Sequence, residues 1–81
     1  FNPTTSIGFG IPKDSHVSLS VYNILGEEVR TLINDQYMSA GYQTIIWNAR
    51  TLNGDRVPSG VYFVLMRSGS FMQTKKMILL K

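Results

Sequence analysis

The single histidine of the chain, His16, follows Asp14 and Ser15, so a base, a carboxylate and a nucleophile-type hydroxyl stand side by side. Contiguity defeats that constellation, because neighbours along an extended strand point to opposite faces. A lone histidine at a strand start reads as a solvated side chain. The five acidic residues, Asp14, Glu27, Glu28, Asp35 and Asp55, fall in separate turns, whereas a hydrolytic pair needs two carboxylates facing across one cleft. Asn53-Gly54-Asp55 could contribute oxygen ligands to calcium, but it lacks the alternating ligand series of a dedicated loop and reads as a plain turn. Gly8-Phe9-Gly10 is no dinucleotide loop: Lys13 holds the third glycine position and no helix opens after it. Glycines alternating with large apolar residues point instead to close packing on an outer strand face. Asn2-Pro3-Thr4 has the outline of a glycan acceptor, but the intervening proline excludes it. No catalytic residue, no metal site and no cofactor is expected.

The composition narrows the partners. At 81 residues and 43% hydrophobic, the chain is expected to be one domain spanning 1–81, near the lower limit for folding without a staple. It has no cysteine, hence no disulfide framework and no thiolate metal site. The net charge of +3 is mild and its eight basic residues are dispersed, with only Lys75-Lys76 adjacent. A nucleic-acid binder of this size concentrates its charge into a stripe, so no nucleic-acid partner is expected. No apolar run approaches the roughly 20 residues of a membrane helix, and Phe1 to Thr5 lacks the basic start and apolar core of a signal peptide.

The elements that must carry these residues repeat with a period of two. Ile7, Phe9 and Ile11 alternate with Ser6, Gly8 and Gly10, and Pro12 ends the strand. Val17, Leu19 and Val21 alternate with serines, Leu25-Gly26 reverses the chain, and Val29 to Ile33 returns as a hairpin. Asn34 to Gly41 reads as a polar connection. Tyr42 to Trp47 is a β-branched and aromatic strand, and Asn48 to Gly60 is the longest loop. Val61 to Arg67 and Phe71 to Leu80 flank a Ser68-Gly69-Ser70 turn. The turn spacing predicts an all-β antiparallel sandwich of about seven strands. Its expected core is Ile7, Phe9, Val17, Leu19, Val21, Val29, Leu32, Ile45, Trp47, Val61, Phe63 and Leu65.

The last two strands depart from the pattern. Tyr62, Val64 and Met66 stand opposite Val61, Phe63 and Leu65, and Ile78 and Leu80 opposite Met77 and Leu79, so both faces are largely apolar. Either a loop covers the second face or it is a docking surface, since sizeable exposed apolar patches mark partner contacts. A strand at a sheet edge also accepts a partner's backbone. Copies that dock through Tyr62, Val64 and Ile78 would form a dimer through the last strands. A chain that stays monomeric with these residues covered would not.

Taken together these residues resemble the type A C-terminal sorting domains of the bacterial type IX secretion system. Phe1 to Ile7 is similar to a shortened form of the family's opening Asn-Pro-Phe-Asn-Pro-Thr-Thr stretch. Val21-Tyr22-Asn23-Ile24-Leu25-Gly26-Glu27-Glu28-Val29 resembles its central hairpin, Gly54 to Tyr62 its Gly-Val-Tyr segment, and Lys75 to Lys81 its lysine-bounded terminal strand. The resemblance implies an immunoglobulin-like β-sandwich, related to a domain of flagellar hook-capping proteins, that ends a secreted protein. It implies partners in the outer-membrane translocation machinery and its surface protease, with a cargo domain attached N-terminally and a cleavage site before Phe1. It also implies passage through the periplasm of a Gram-negative bacterium to the cell surface or the medium.

By the same resemblance, the partner-recognition residues are Gly60, Val61, Tyr62, Lys76, Met77, Ile78, Leu79, Leu80 and Lys81. Gly60 after Pro58-Ser59 suits a positive φ or a close backbone approach. Lys76 and Lys81 bracket an apolar segment, either setting register on a partner or acting as charged gatekeepers against edge aggregation. Two alternatives belong to other classes. One is a structural immunoglobulin-like spacer or adhesion module, and the other is a carbohydrate-binding module stacking sugars on Trp47, Tyr42 or Tyr62.

Overall fold

Pro12, Gly26, Gly54 and Gly69 punctuate the chain into strands, and a computed structural model describes residues 4–80 of it. Six strands are present among the described residues: β1 Thr5–Ile11, β2 Ser15–Asn23, β3 Glu28–Met38, β4 Gly41–Trp47, β5 Gly60–Ser68 and β6 Phe71–Leu79. They form two antiparallel sheets, one of order β1-β4 and one of order β3-β2-β5-β6, the arrangement of a β-sandwich. The expected count of about seven is corrected to six. Residues 48–59 form the long loop expected between β4 and β5, and make only an isolated bridge between Arg50 and Arg56. Asn53-Gly54-Asp55 turns it back on itself, with Gly54 at φ 91.

The polar stretch after Ile33 is strand rather than connection. β3 lies at the sheet edge, so its polar residues meet water, and register shifts against β2 absorb the irregular alternation. Asp35 takes a φ of 50 there. His16 is exposed and faces Asp35 at 3.5 Å, not Asp14, while its ring meets Tyr37 edge-on at 5.3 Å. The Asp14 carboxylate is used elsewhere and accepts the Ala40 N–H at 2.8 Å, tying two turns together.

The core lies between the sheets. Ile7, Phe9, Val17, Leu19, Val21 and Trp47 are buried as the alternation predicts, and Val29, Leu32 and Ile45 flank them partly buried. The expectation fails on β5. Tyr62, Val64 and Met66 are buried, whereas Val61, Phe63 and Leu65 are half-buried on the other face. In an antiparallel sheet directly opposed residues share a face, and β2 pairs Leu19 with Met66 and Val21 with Val64. The inward face of β2 therefore decides the inward face of β5. Ile11, Ile33, Ala49, Val57 and Leu79 complete the core.

A four-stranded sheet overhangs a two-stranded one, so the core-side positions of β6 outrun their cover. Lys75, opposite the buried Val64, uses its long stem to cross the gap. Its Nζ donates to the Gly8 carbonyl oxygen of β1 at 3.0 Å. On β1 the close packing expected of both glycines holds at Gly8 alone: a Cβ there would collide with the hydroxyl end of Tyr42, whereas Gly10 has nothing within 4 Å.

Candidate recognition surface

The ends of the strands bring three distant sequence motifs together. Within each sheet the antiparallel registers bring together the start of β1 with the end of β4, and the ends of β2 and β6 with the start of β5, and the contact of Trp47 with Tyr62 joins the two sets at one pole of the sandwich. The turn Asn23–Glu27 and the Pro58-Ser59-Gly60 entry to β5 meet there around a groove of about 260 Å³ that Leu25 and Val61 also line. The turn is held by Asn23, whose Oδ1 accepts the backbone N–H groups of Leu25 and Glu27, both at 3.0 Å. Asn23 Nδ2 donates to Glu27 Oε1 at 2.9 Å, and Gly26 takes the positive φ of 83 that the reversal needs. This scaffold displays two large apolar side chains, Ile24 and Leu25, to solvent.

The outer face of the larger sheet continues the display. Tyr22 opposes Phe63, and Val61 opposes Ile78, which is 60% exposed. Tyr22, Ile24, Phe63, Leu65 and Thr74 line a second groove of about 330 Å³ beside the same turn. No described loop covers Ile78, Met72 or Leu80, all of which stay exposed. Two-sided apolarity of β5 and β6 therefore yields one buried face and one open apolar face. The open face is built from Val61, Phe63, Leu65 and Ile78, not from Tyr62 and Val64.

The predicted recognition residues divide accordingly. Val61, Lys76, Ile78 and Leu80 belong to the outward set, while Tyr62, Met77 and Leu79 turn toward the core. Lys81 lies outside the described residues, as do Phe1, Asn2 and Pro3 of the opening motif. Gly60 has a φ of 152 at the first position of β5. Ile24 and Leu25 were missed by sequence reasoning because apolar residues in a short reversal read as turn filler. Their signal was the pairing of two large side chains with an Asn that caps the turn and a Gly that closes it.

Tyr62 holds the pole from inside. Its side chain is 4% exposed, its ring meets Trp47 edge-on at 5.9 Å, and its hydroxyl donates to the Pro58 carbonyl oxygen at 2.5 Å. A tyrosine bonding back a few residues upstream of its strand is the corner tie seen in β-sandwiches. Trp47 Nε1 donates to the Arg50 carbonyl at 3.0 Å, and Arg30 Nη1 reaches the same oxygen at 3.2 Å. Trp47 and Tyr62 are thus unavailable as a sugar platform, whereas Tyr42, lying over Gly8, stays exposed.

Burial pushes the Tyr62 phenol above its ordinary value of 10.0. The folded state then binds that proton more tightly than the unfolded chain. The associated stability is whole below about pH 10 and is lost as pH rises through the raised folded value. Tyr62→Phe is expected to cost about 1–2 kcal/mol at neutral pH, because the Pro58 carbonyl loses its donor. It should also remove this residue's part of the alkaline decline. Urea unfolding of both proteins between about pH 8 and pH 11 checks this: parallel pH dependences would contradict it.

The fold and its exposed face define the class, an all-β sandwich module with one open apolar face. The family model for the secretion system C-terminal sorting domain matches residues 2–80, and the chain belongs to that family. Domains of this family act as C-terminal signals for type IX secretion of the cargo to which they are joined. Among solved structures, FlgD from P. aeruginosa superposes with a TM-score of 0.74 at 23% identity. The match covers 95% of this chain and 60% of that one, and at this identity it shows the fold alone. No curated protein matches.

Proposed function

We propose that chain 1–81 works as one unit whose outward apolar surface is what the outer-membrane translocation machinery reads. The surface comprises the Ile24-Leu25 tip and the outer face of β5 and β6. The observation carrying this reading is the alternation itself. Within the terminal motif, Ile78 and Leu80 are exposed while Leu79 between them is 3% exposed. The motif therefore serves two purposes, with inward residues anchoring the strand and outward ones presenting apolar area. A partner groove that buries such anchors gains most of its affinity from a few of them. The domain has no role as an enzyme on this reading. It accompanies an N-terminal cargo through the periplasm of a Gram-negative bacterium, and a surface protease removes it on arrival.

The test is export of a fluorescent cargo directed to the periplasm and fused ahead of residues 1–81, in a host with a working type IX system. The parent fusion is expected at the surface or in the medium. The variant Ile24→Asp, Leu25→Asp, Ile78→Asp should fold, judged by Trp47 fluorescence, yet be exported at least about tenfold less. Undiminished export of the folded variant would sink the proposed surface. Periplasmic retention of the parent fusion would instead favour a spacer or adhesion module.

A further inference from the structure

The two edges of the larger sheet are built differently. β3, at one edge, is interrupted against β2 by register shifts at three places. β6, at the other, pairs with β5 through nine consecutive residues, Phe71 to Leu79, without a shift. Bulges twist an edge away from new partners, and a regular edge remains a template for another strand. The regular edge carries apolar side chains in solvent, Met72 and Ile78, around a central Lys75-Lys76 pair. β5 and β6 contain no acidic residue, and Arg67 opposite Met72 adds another cation.

We infer that β6 accepts an extended segment of a partner protein as an added strand, one that alternates apolar with acidic residues. The inference rests on the recognition surface proposed above and names the chemistry of what binds there. Charge chooses between this occupant and a second copy of the chain. In a two-fold antiparallel pairing of β6 with itself at full overlap, the central Lys75 lies directly opposite the Lys75 of the second copy. Like charges directly opposed destabilise a strand pair. Lys75 bars self-pairing, and an acidic strand meets Lys75 or Lys76 according to the face its carboxylates take, so one feature supplies both repulsion and attraction. Lys75 already has its Nζ on Gly8 O, which leaves its stem along the gap and Lys76 on the outward side.

The experiment titrates the isotope-labelled chain with three peptides as long as β6, alternating valine with glutamate, glutamine or lysine. The acidic peptide is expected to bind roughly threefold or more tightly than the lysine peptide, because its glutamates share one face and meet one of the two lysines, replacing a like-charge contact with an opposite-charge one. It should protect β6 amides from hydrogen exchange, leave β3 amides unchanged and weaken with added salt. Lys75→Glu with Lys76→Glu should reverse the preference toward the lysine peptide. Equal affinities, protection on β3, or no binding by any peptide would overturn the inference. So would concentration-dependent protection of β6 without peptide, which would make the occupant a second copy. Export separates the two proposals. If the double lysine variant is exported normally, strand addition is not the recognition step and sorting stands. If the parent fusion fails to leave the periplasm, sorting falls whatever the peptides do.

Discussion

Replacing Trp47 with alanine is expected to remove about 4–6 kcal/mol, a third or more of the stability of the domain. The side chain is 1% exposed at the end of β4 and closes the pole where the sheets meet. Truncating a buried tryptophan costs about 3–5 kcal/mol, and an edge-to-face contact such as that with Tyr62 is worth about 1 kcal/mol more. The Arg50 carbonyl also loses its indole donor and is left with the longer bond from Arg30. A domain of this length holds only about 4–12 kcal/mol in all, by the usual 0.05–0.15 kcal/mol per residue. Urea unfolding followed by circular dichroism measures the loss directly. A cost below about 1 kcal/mol would show that the loop over 48–57 closes without its anchor. Trp47→Phe, which keeps an aromatic ring but loses the second ring and the hydrogen bond, should cost less than the alanine variant.

Removing residues 76–81 should unfold the domain rather than merely silence it. The cut takes away the β6 partners of Gly60, Val61, Tyr62 and Phe63, and with them Leu79 and Met77 from the core. Point substitutions separate the effects. Leu79→Asp places a charge in the core, where an unpaired ion costs several kcal/mol, and should abolish cooperative unfolding. Ile78→Asp, one residue away and facing water, should change stability by less than about 1 kcal/mol. Thermal melts of the two purified variants decide this. Similar losses at both positions would mean that β6 does not keep the alternation described here. If the contrast holds, failed export of a chain lacking the last residues reports on folding, and only outward substitutions report on recognition.

Much of the architecture was legible because turn chemistry and period-two alternation are local. Pro12, Leu25-Gly26, Asn53-Gly54 and Ser68-Gly69-Ser70 mark the turns where the chain reverses, and the serines of β2 name its solvent face. β3 was cut short because Asn34-Asp35-Gln36 lack the alternation of a half-buried strand. An edge strand with water beside it does not need that alternation. The expected recognition residues read from the sequence as a segment and not as a surface, since apolar character alone does not tell anchor from display.

By itself, then, the sequence determines that the chain is all-β, where most of its turns fall, and which family's motifs it carries. Tertiary structure decided which side of the last two strands is inside. β5 is apolar on both faces, so a shift of one residue exchanges the faces without altering the pattern. The choice is made by contacts distant in the chain. Leu19 and Val21 of β2 select Met66 and Val64 as their inward partners, and the Tyr62 hydroxyl fastens that choice to Pro58. The same selection turns Val61, Phe63 and Ile78 outward, and so creates the surface on which the proposed function rests.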